Sequence, residues 1–196
     1  MSAEAAGAHI AVVYHSRGGH TAALAEALAG GARAAGAAAT LVRLPAEPPP
    51  WELLAAADAI VFGSPTHFGG VSAEMKQFMD ATDPLWRPMA WRDKLAAGFT
   101  CGGEPSGDKL GVLLQLAIFA AQHGMVWIGV DPLNDQRSGV GKPAGYNRHG
   151  GYLGAMADSA GDAPGPDSPP GSDRATAERH GRRIALAALR WRRGAA

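Results

Sequence analysis

Cysteine occurs once in 196 residues, at Cys101. A single thiol cannot close an internal disulfide, so the chain is no disulfide-stapled secreted scaffold, and it suits a reducing compartment. Charge of either sign is in no excess: Lys plus Arg and Asp plus Glu stand at 18 each. A balanced chain has no net field to draw it to nucleic acid or to an anionic membrane. No apolar run approaches the roughly 20 residues of a membrane span. The opening MSAEAAGA lacks the charged and apolar regions of a secretory signal. Cytoplasmic residence, without nucleic-acid or membrane partners, is the expectation.

What is present fits one globular domain over residues 1–196, with 46% hydrophobic and 18% charged residues. Its organising stretch is DAIVFGSPTHFGGVSAEMKQFMD, Asp58 to Asp80. A short apolar strand, Ala59 to Phe62, empties into GSPTHFGG, and Ser72 with Glu74 then signals a helix start. A turn at the carboxyl end of a buried strand is where an open α/β sheet leaves a ligand crevice. Pro65 fixes its own φ and pushes Ser64 toward an extended conformation, so Thr66, His67 and Phe68 are displayed from a stiff loop beside Gly69. Taken alone, these residues serve equally as a plain connection.

Earlier in the chain, His9 to His15 is a continuous β-branched run, as in a strand covered on both faces. SRGGHT follows and leads into a helix with Leu24, Ala27, Leu28 and Gly31 on one face. Strand, glycine-rich polar loop and helix make an anion site, since free backbone N–H groups and the helix dipole both favour negative charge there. The loop matches neither a dinucleotide GxGxxG nor a Walker pattern and suits a single phosphate, although an ordinary serine-capped helix start uses the same residues. Ala39 to Leu44 makes a second strand, PAEPPP a stiff link, and Trp51 to Ala57 a short helical piece. The helix from Ser72 buries Met75, Phe78, Met79 and Thr82. Thr82 to Trp91 is irregular, with two tryptophans that line a pocket or cap the core. Lys94 to Cys101 is the fourth strand, ending in GGEPSGD. From Asp108 a helix carries Leu110, Leu113, Leu114, Ala117, Ile118 and Ala121 on one stripe and stops at His123-Gly124. Met125 to Val130 is the fifth strand. Asp131 to Gly171 has little periodicity and reads as a long functional or partly disordered loop. A last helix from Asp173 places Ala177, Gly181, Ile184, Ala188 and Trp191 inward and a solvated arginine face outward. Strands alternating with helices predict a parallel α/β sheet.

The segments YHSRGGHT, FGSPTHFGGVSAEMKQFMDAT, KLAAGFTCGGE, AAQHGMV and GGYLGAMADSAGD, in this order, resemble the WrbA-type family of NAD(P)H:quinone oxidoreductases over nearly the whole chain. The resemblance implies a flavodoxin-like three-layer sandwich, with a five-stranded parallel sheet in the order 2-1-3-4-5, and FMN at the switch between the first and third strands. It implies that Ser16, Arg17, Gly18, Gly19, His20 and Thr21 wrap the phosphate, and that Pro65, Thr66, His67, Phe68 and Gly69 lie along the flavin ring. Cys101, Gly102, Gly103, Glu104 and Ser106 hold the ring's polar edge, His123 joins the site and Trp86 faces the substrate. NADH or NADPH is the implied hydride donor and a quinone the acceptor, in a homodimer or homotetramer, with no side chain as covalent catalyst. From the residues alone, His123 reads as a helix cap and Cys101 as a buried small hydrophobe. The chain departs from the family at Gly18, where an aromatic is usual, at Glu104 and Pro105, which replace small residues, and in its short link after the second strand. An FMN or azo-compound reductase and a flavodoxin-type electron carrier are the alternative readings.

Overall fold

The structure, a computed structural model, describes residues 7–131, 145–160, 164 and 168–194. Strands β1 (His9–His15), β2 (Ala38–Leu44), β3 (Ala59–Pro65), β4 (Leu95–Gly102) and β5 (Val126–Trp127) form a sheet in the order β2-β1-β3-β4-β5. Every pairing is parallel. β1 is buried at all positions after His9, as its β-branched run predicts for a strand covered on both faces. Alternate residues supply the two cores. Ile10, Val12 and Phe99 face helices α1 (His20–Ala34) and α6 (Gly171–Gly194). Val13, Phe62 and Ala96 face α2 (Trp51–Ala56), α3 (Ala73–Ala81) and α5 (Lys109–Gln122).

Several boundaries differ from expectation. β3 continues through Gly63 and Ser64 to Pro65, because all three residues stay in register with β4. The fifth strand is only Val126–Trp127, paired with Leu95 and Ala96. A sixth strand, β6 (Ala155–Asp158), takes over the same edge of β4 and pairs with Phe99 to Gly102. It lies in the stretch read as aperiodic, since four residues without a β-branched side chain give no strand signal. Residues 132–144, 161–163 and 165–167 of that stretch lie outside the described part. The Thr82–Trp91 segment contains a one-turn helix, α4 (Asp83–Trp86), and its tryptophans divide: Trp91 is core and Trp86 is exposed.

The stripe expected on α5 is rotated. Val112, Leu113, Leu116, Phe119 and Ala120 are buried, whereas Leu110, Leu114 and Ile118 are 51%, 44% and 59% exposed. A helix apolar on all sides does not disclose which side faces the core. On α6 the inward residues Ala177, Gly181, Ile184 and Ala188 are as expected, but Trp191 is exposed.

Helices α1 and α6 cross closely: a Cβ on Gly181 would stand 1.9 Å from the Leu28 carbonyl oxygen, and one on Gly31 1.8 Å from that of Glu178. Gly181→Ala therefore forces the helices apart and costs about 1–3 kcal/mol, read as a lower thermal midpoint by circular dichroism. An unchanged midpoint would show that the crossing is looser.

His180, one residue earlier, is fully buried and its Nε2 donates to the Ile128 carbonyl at 3.0 Å. Burial pushes its pKa down to about 4. The folded state keeps this ring neutral while the unfolded chain binds a proton near pH 6.5. Its contribution is thus complete above about pH 6.5 and is lost as pH falls toward 4, by up to about 3 kcal/mol. Urea midpoints at pH 7 and 4.5 test this: His180→Gln loses less on acidification than the parent.

Candidate functional site

Because β1, β3 and β4 are adjacent and parallel, their carboxyl ends share one rim, and each ends in a loop that opens a helix. In the first loop the Ser16 hydroxyl accepts the amide protons of Gly19 at 3.1 Å and Ala22 at 3.2 Å. Its own O–H proton remains for a third group. Gly19 stands at φ 98°, a left-handed conformation that costs glycine nothing and turns the chain into α1. Arg17 and Gly18 are exposed beside it. Arg43, from the end of β2, donates to the Ser16 carbonyl at 2.8 Å and steadies the loop from behind. The His20 ring is engaged on the side of the C-terminal segment, with Nδ1 3.1 Å from Ser168 Oγ.

The second loop is a two-residue reversal. His67 and Gly70 exchange both backbone hydrogen bonds at 3.0 Å, and the tip residues Phe68 and Gly69 have φ 49° and 75°. A left-handed phenylalanine is uncommon, and its ring is fully exposed at the tip of the rim. Beneath the reversal, the Ser64 hydroxyl accepts the Ser72 amide at 2.9 Å, and the Ser72 hydroxyl caps α3 through the Met75 amide at 3.3 Å.

The third loop leaves β4 at Gly102, with Gly103 to Ser106 exposed. It ties the other two together. Thr21 Oγ1 lies 3.2 Å from Cys101 Sγ, the Thr66 amide donates to the Cys101 carbonyl at 2.8 Å, and the Thr66 and Thr100 hydroxyls are 2.9 Å apart. Burial pushes the Cys101 thiol pKa up, which keeps it protonated and unreactive. His15, at the end of β1, is held below its usual pKa by burial, against the pull of Glu74 at 3.3 Å.

The rim thus collects residues 16–21, 65–69 and 101–106, but not His123 or Trp86. α5 runs back from the third loop for 14 residues, about 21 Å. His123 caps its far end, next to β5, whose Val126 pairs with the first residue of β4. There His123 Nε2 lies 3.0 Å from Thr82 Oγ1. Thr82 gives its own proton to the Met79 carbonyl, so Nε2 is the donor. Nδ1 is buried without a hydrogen-bond partner among the described residues. Together with Trp86, Met79 and Ile118 the ring lines a cavity of about 610 Å³.

Arg43, His15 and Lys109 are rim residues that motif reading passes over. Lys109 had a signal: it falls on the stripe 109, 112, 113, 116, 120 that α5 buries. His149, Asp158 and Asp173 lie close enough to suit a metal ion. Arg148 and Lys109 already give the two carboxylates two positive charges, so the cluster is an ion-pair network.

A parallel sheet in this order, with three helix-opening loops on its carboxyl rim, defines a flavodoxin-like protein. The chain belongs to the NADPH-dependent FMN reductase family, whose model matches residues 9–132. It is similar to flavodoxin FldP of Pseudomonas aeruginosa, 37% identical over 89% of this chain and 93% of that protein. It also resembles an NAD(P)H dehydrogenase (quinone) of Geotalea uraniireducens, 30% identical over 94% and 99% of the two chains. The crystal structure of a flavodoxin, WrbA-like protein from Agrobacterium tumefaciens superposes with a TM-score of 0.73 at 36% identity, covering 93% of this chain and 98% of that one. FMN is accordingly the cofactor and NAD(P)H the electron donor. The rim fits FMN on its own chemistry, with a hydroxyl proton and Arg17 at a helix start for a phosphate, and an exposed aromatic for a flat ring.

If the Ser16 proton serves the phosphate, Ser16→Ala loses a charge-assisted hydrogen bond of about 1.5–3 kcal/mol, on the order of 10- to 100-fold in FMN affinity. Fluorescence titration of the FMN-free protein measures it. Riboflavin, which lacks the phosphate, binds parent and variant alike.

Proposed function

We propose that this oxidoreductase passes two electrons from NAD(P)H to a quinone-type acceptor. The observation that carries the reading is the joining of three loops at Thr21, Thr66 and Cys101 on one rim, which supports a phosphorylated flavin bound where all three meet. Ser16, Arg17 and Thr21 hold its phosphate, Thr66 to Gly69 flank the ring and the 101–106 loop holds its polar edge. When bound, FMN supplies the two-electron chemistry; the chain binds, orients and shields. No side chain needs to act as a covalent catalyst. The quinone acceptor is supported by relatives named NAD(P)H dehydrogenase (quinone).

His123 and Trp86 lie too far from the rim to serve the flavin of their own chain. A homodimer or homotetramer in which one copy brings its Trp86 cavity over the rim of another supplies the acceptor with an apolar wall. The cytoplasm, where reduced nicotinamide nucleotides are at hand and Cys101 stays a thiol, is the proposed location.

The name of flavodoxin FldP favours a second reading, a one-electron carrier without substrate chemistry. Against it stands the balanced charge, 18 basic to 18 acidic residues, which gives no net acidic excess to attract a redox partner. Anaerobic addition of NADH or NADPH to the FMN-loaded protein separates the two. Bleaching of the flavin by either nucleotide, and return of its colour with a benzoquinone, is the expected result. No bleaching with either one favours the carrier.

A further inference from the structure

A buried lysine stands beneath the third loop. Lys109, the first residue of α5, is 1% exposed, and its ammonium donates to the carbonyl oxygens of Glu104 and Pro105, the latter at 3.3 Å, and to Asp158 Oδ1 at 3.1 Å. Three protons thus meet three acceptors. Asp158, the last residue of β6, also takes Arg148 Nη2 at 2.6 Å. Arg148 reaches both oxygens of Asp173, at 2.6 and 2.7 Å, and Asp173 in the first turn of α6 accepts the Asp158 amide at 3.0 Å.

Burying an ammonium carries a desolvation penalty that an apolar side chain of similar length avoids, and well-packed apolar replacements of buried ion pairs are often as stable. Stability alone therefore does not call for a lysine here. What an apolar residue cannot do is draw two loop carbonyls inward. In a trans peptide the C=O and the following N–H point in opposite directions, so pulling in the Pro105 carbonyl directs the Ser106 amide away from Lys109. The 102–106 loop is fixed by its backbone and not by its exposed side chains.

We propose that Lys109 is a positioning residue for the flavin ring. Through Glu104 and Pro105 it sets the loop that holds the ring's polar edge, and through Asp158 it makes that grip depend on the docking of β6 and α6. The proposal rests on the three loops being the FMN site.

Titration of the FMN-free full chain with FMN and with riboflavin tests it, in the parent, Lys109→Met, Lys109→Arg and Asp158→Asn. Lys109→Met weakens both ligands by the same factor, about tenfold for the loss of one ordered edge contact, because the ring and not the phosphate is affected. Asp158→Asn gives a smaller loss with the same equality, and Lys109→Arg, which keeps the charge and donors, recovers part of the affinity. Wild-type affinities for both ligands in Lys109→Met and Asp158→Asn would overturn the proposal. So would a loss confined to FMN. A parent chain that binds neither ligand removes the FMN reading itself, a result distinct from either.

Discussion

Among the described residues, strand β4 pairs with three strands and no other strand pairs with more than two. β3 runs along one edge in register, and β5 and then β6 share the other. Since all these pairings are parallel, residues that end β4 necessarily meet the residues that end β3 and β6. The rim of the candidate site follows from this constraint. Thr100 and Cys101, the last buried residues of β4, receive Thr21 from α1 and Thr66 from the second loop. A small side chain with little polarity suits that junction. A larger one at Cys101 would push α1 away from the sheet, which gives the lone cysteine a packing role without any redox chemistry of its own.

The fold was legible because its signals are long-range in sequence but simple in kind. Continuous apolar strands alternate with amphipathic helices, and Ser72 caps α3 as its position before Glu74 implied. The shared rim of the candidate site was legible where loops follow strands, since glycine, proline and short polar residues after an apolar run mark such a rim. Signals failed where tertiary pairing overrides local character. β6 exists because β4 leaves an unpaired edge beyond Ala96, and nothing within AMAD says so. α5 is apolar around most of its circumference, so its buried side was set by β4 and not by its own periodicity. Arg43 is an exposed strand residue in the sequence and becomes a loop support only through the register that brings Leu44 opposite His15.

The ion-pair network extends the same logic into the C-terminal part. Asp158 and Asp173 lie 15 positions apart, yet share Arg148, and Asp158 also accepts from Lys109. Their negative charge is compensated at each step, which is why burying it is tolerable. Burial pushes the Asp173 carboxyl up, yet the nearby His149 at 3.5 Å and the hydrogen bonds from Arg148 and the Asp158 amide hold it below the ordinary carboxylate range. A charged cluster of this kind fixes geometry better than an apolar contact of equal area, because each partner has directional requirements.

α5 connects the two ends of the molecule that matter. Its first residue, Lys109, supports the third loop, and its cap, His123, stands in the cavity beside Trp86. Between them its outer face carries Leu110, Leu114 and Ile118, eight positions from first to last, or about 12 Å of apolar stripe. Scattered single apolar residues on a surface need no cover, whereas these three, four positions apart in turn, form one aligned row. The row runs from the third loop to the Trp86 cavity, where Ile118 is part of the lining. The second copy proposed above would thus find an apolar path along α5 between rim and cavity, ends that lie about 21 Å apart in one chain.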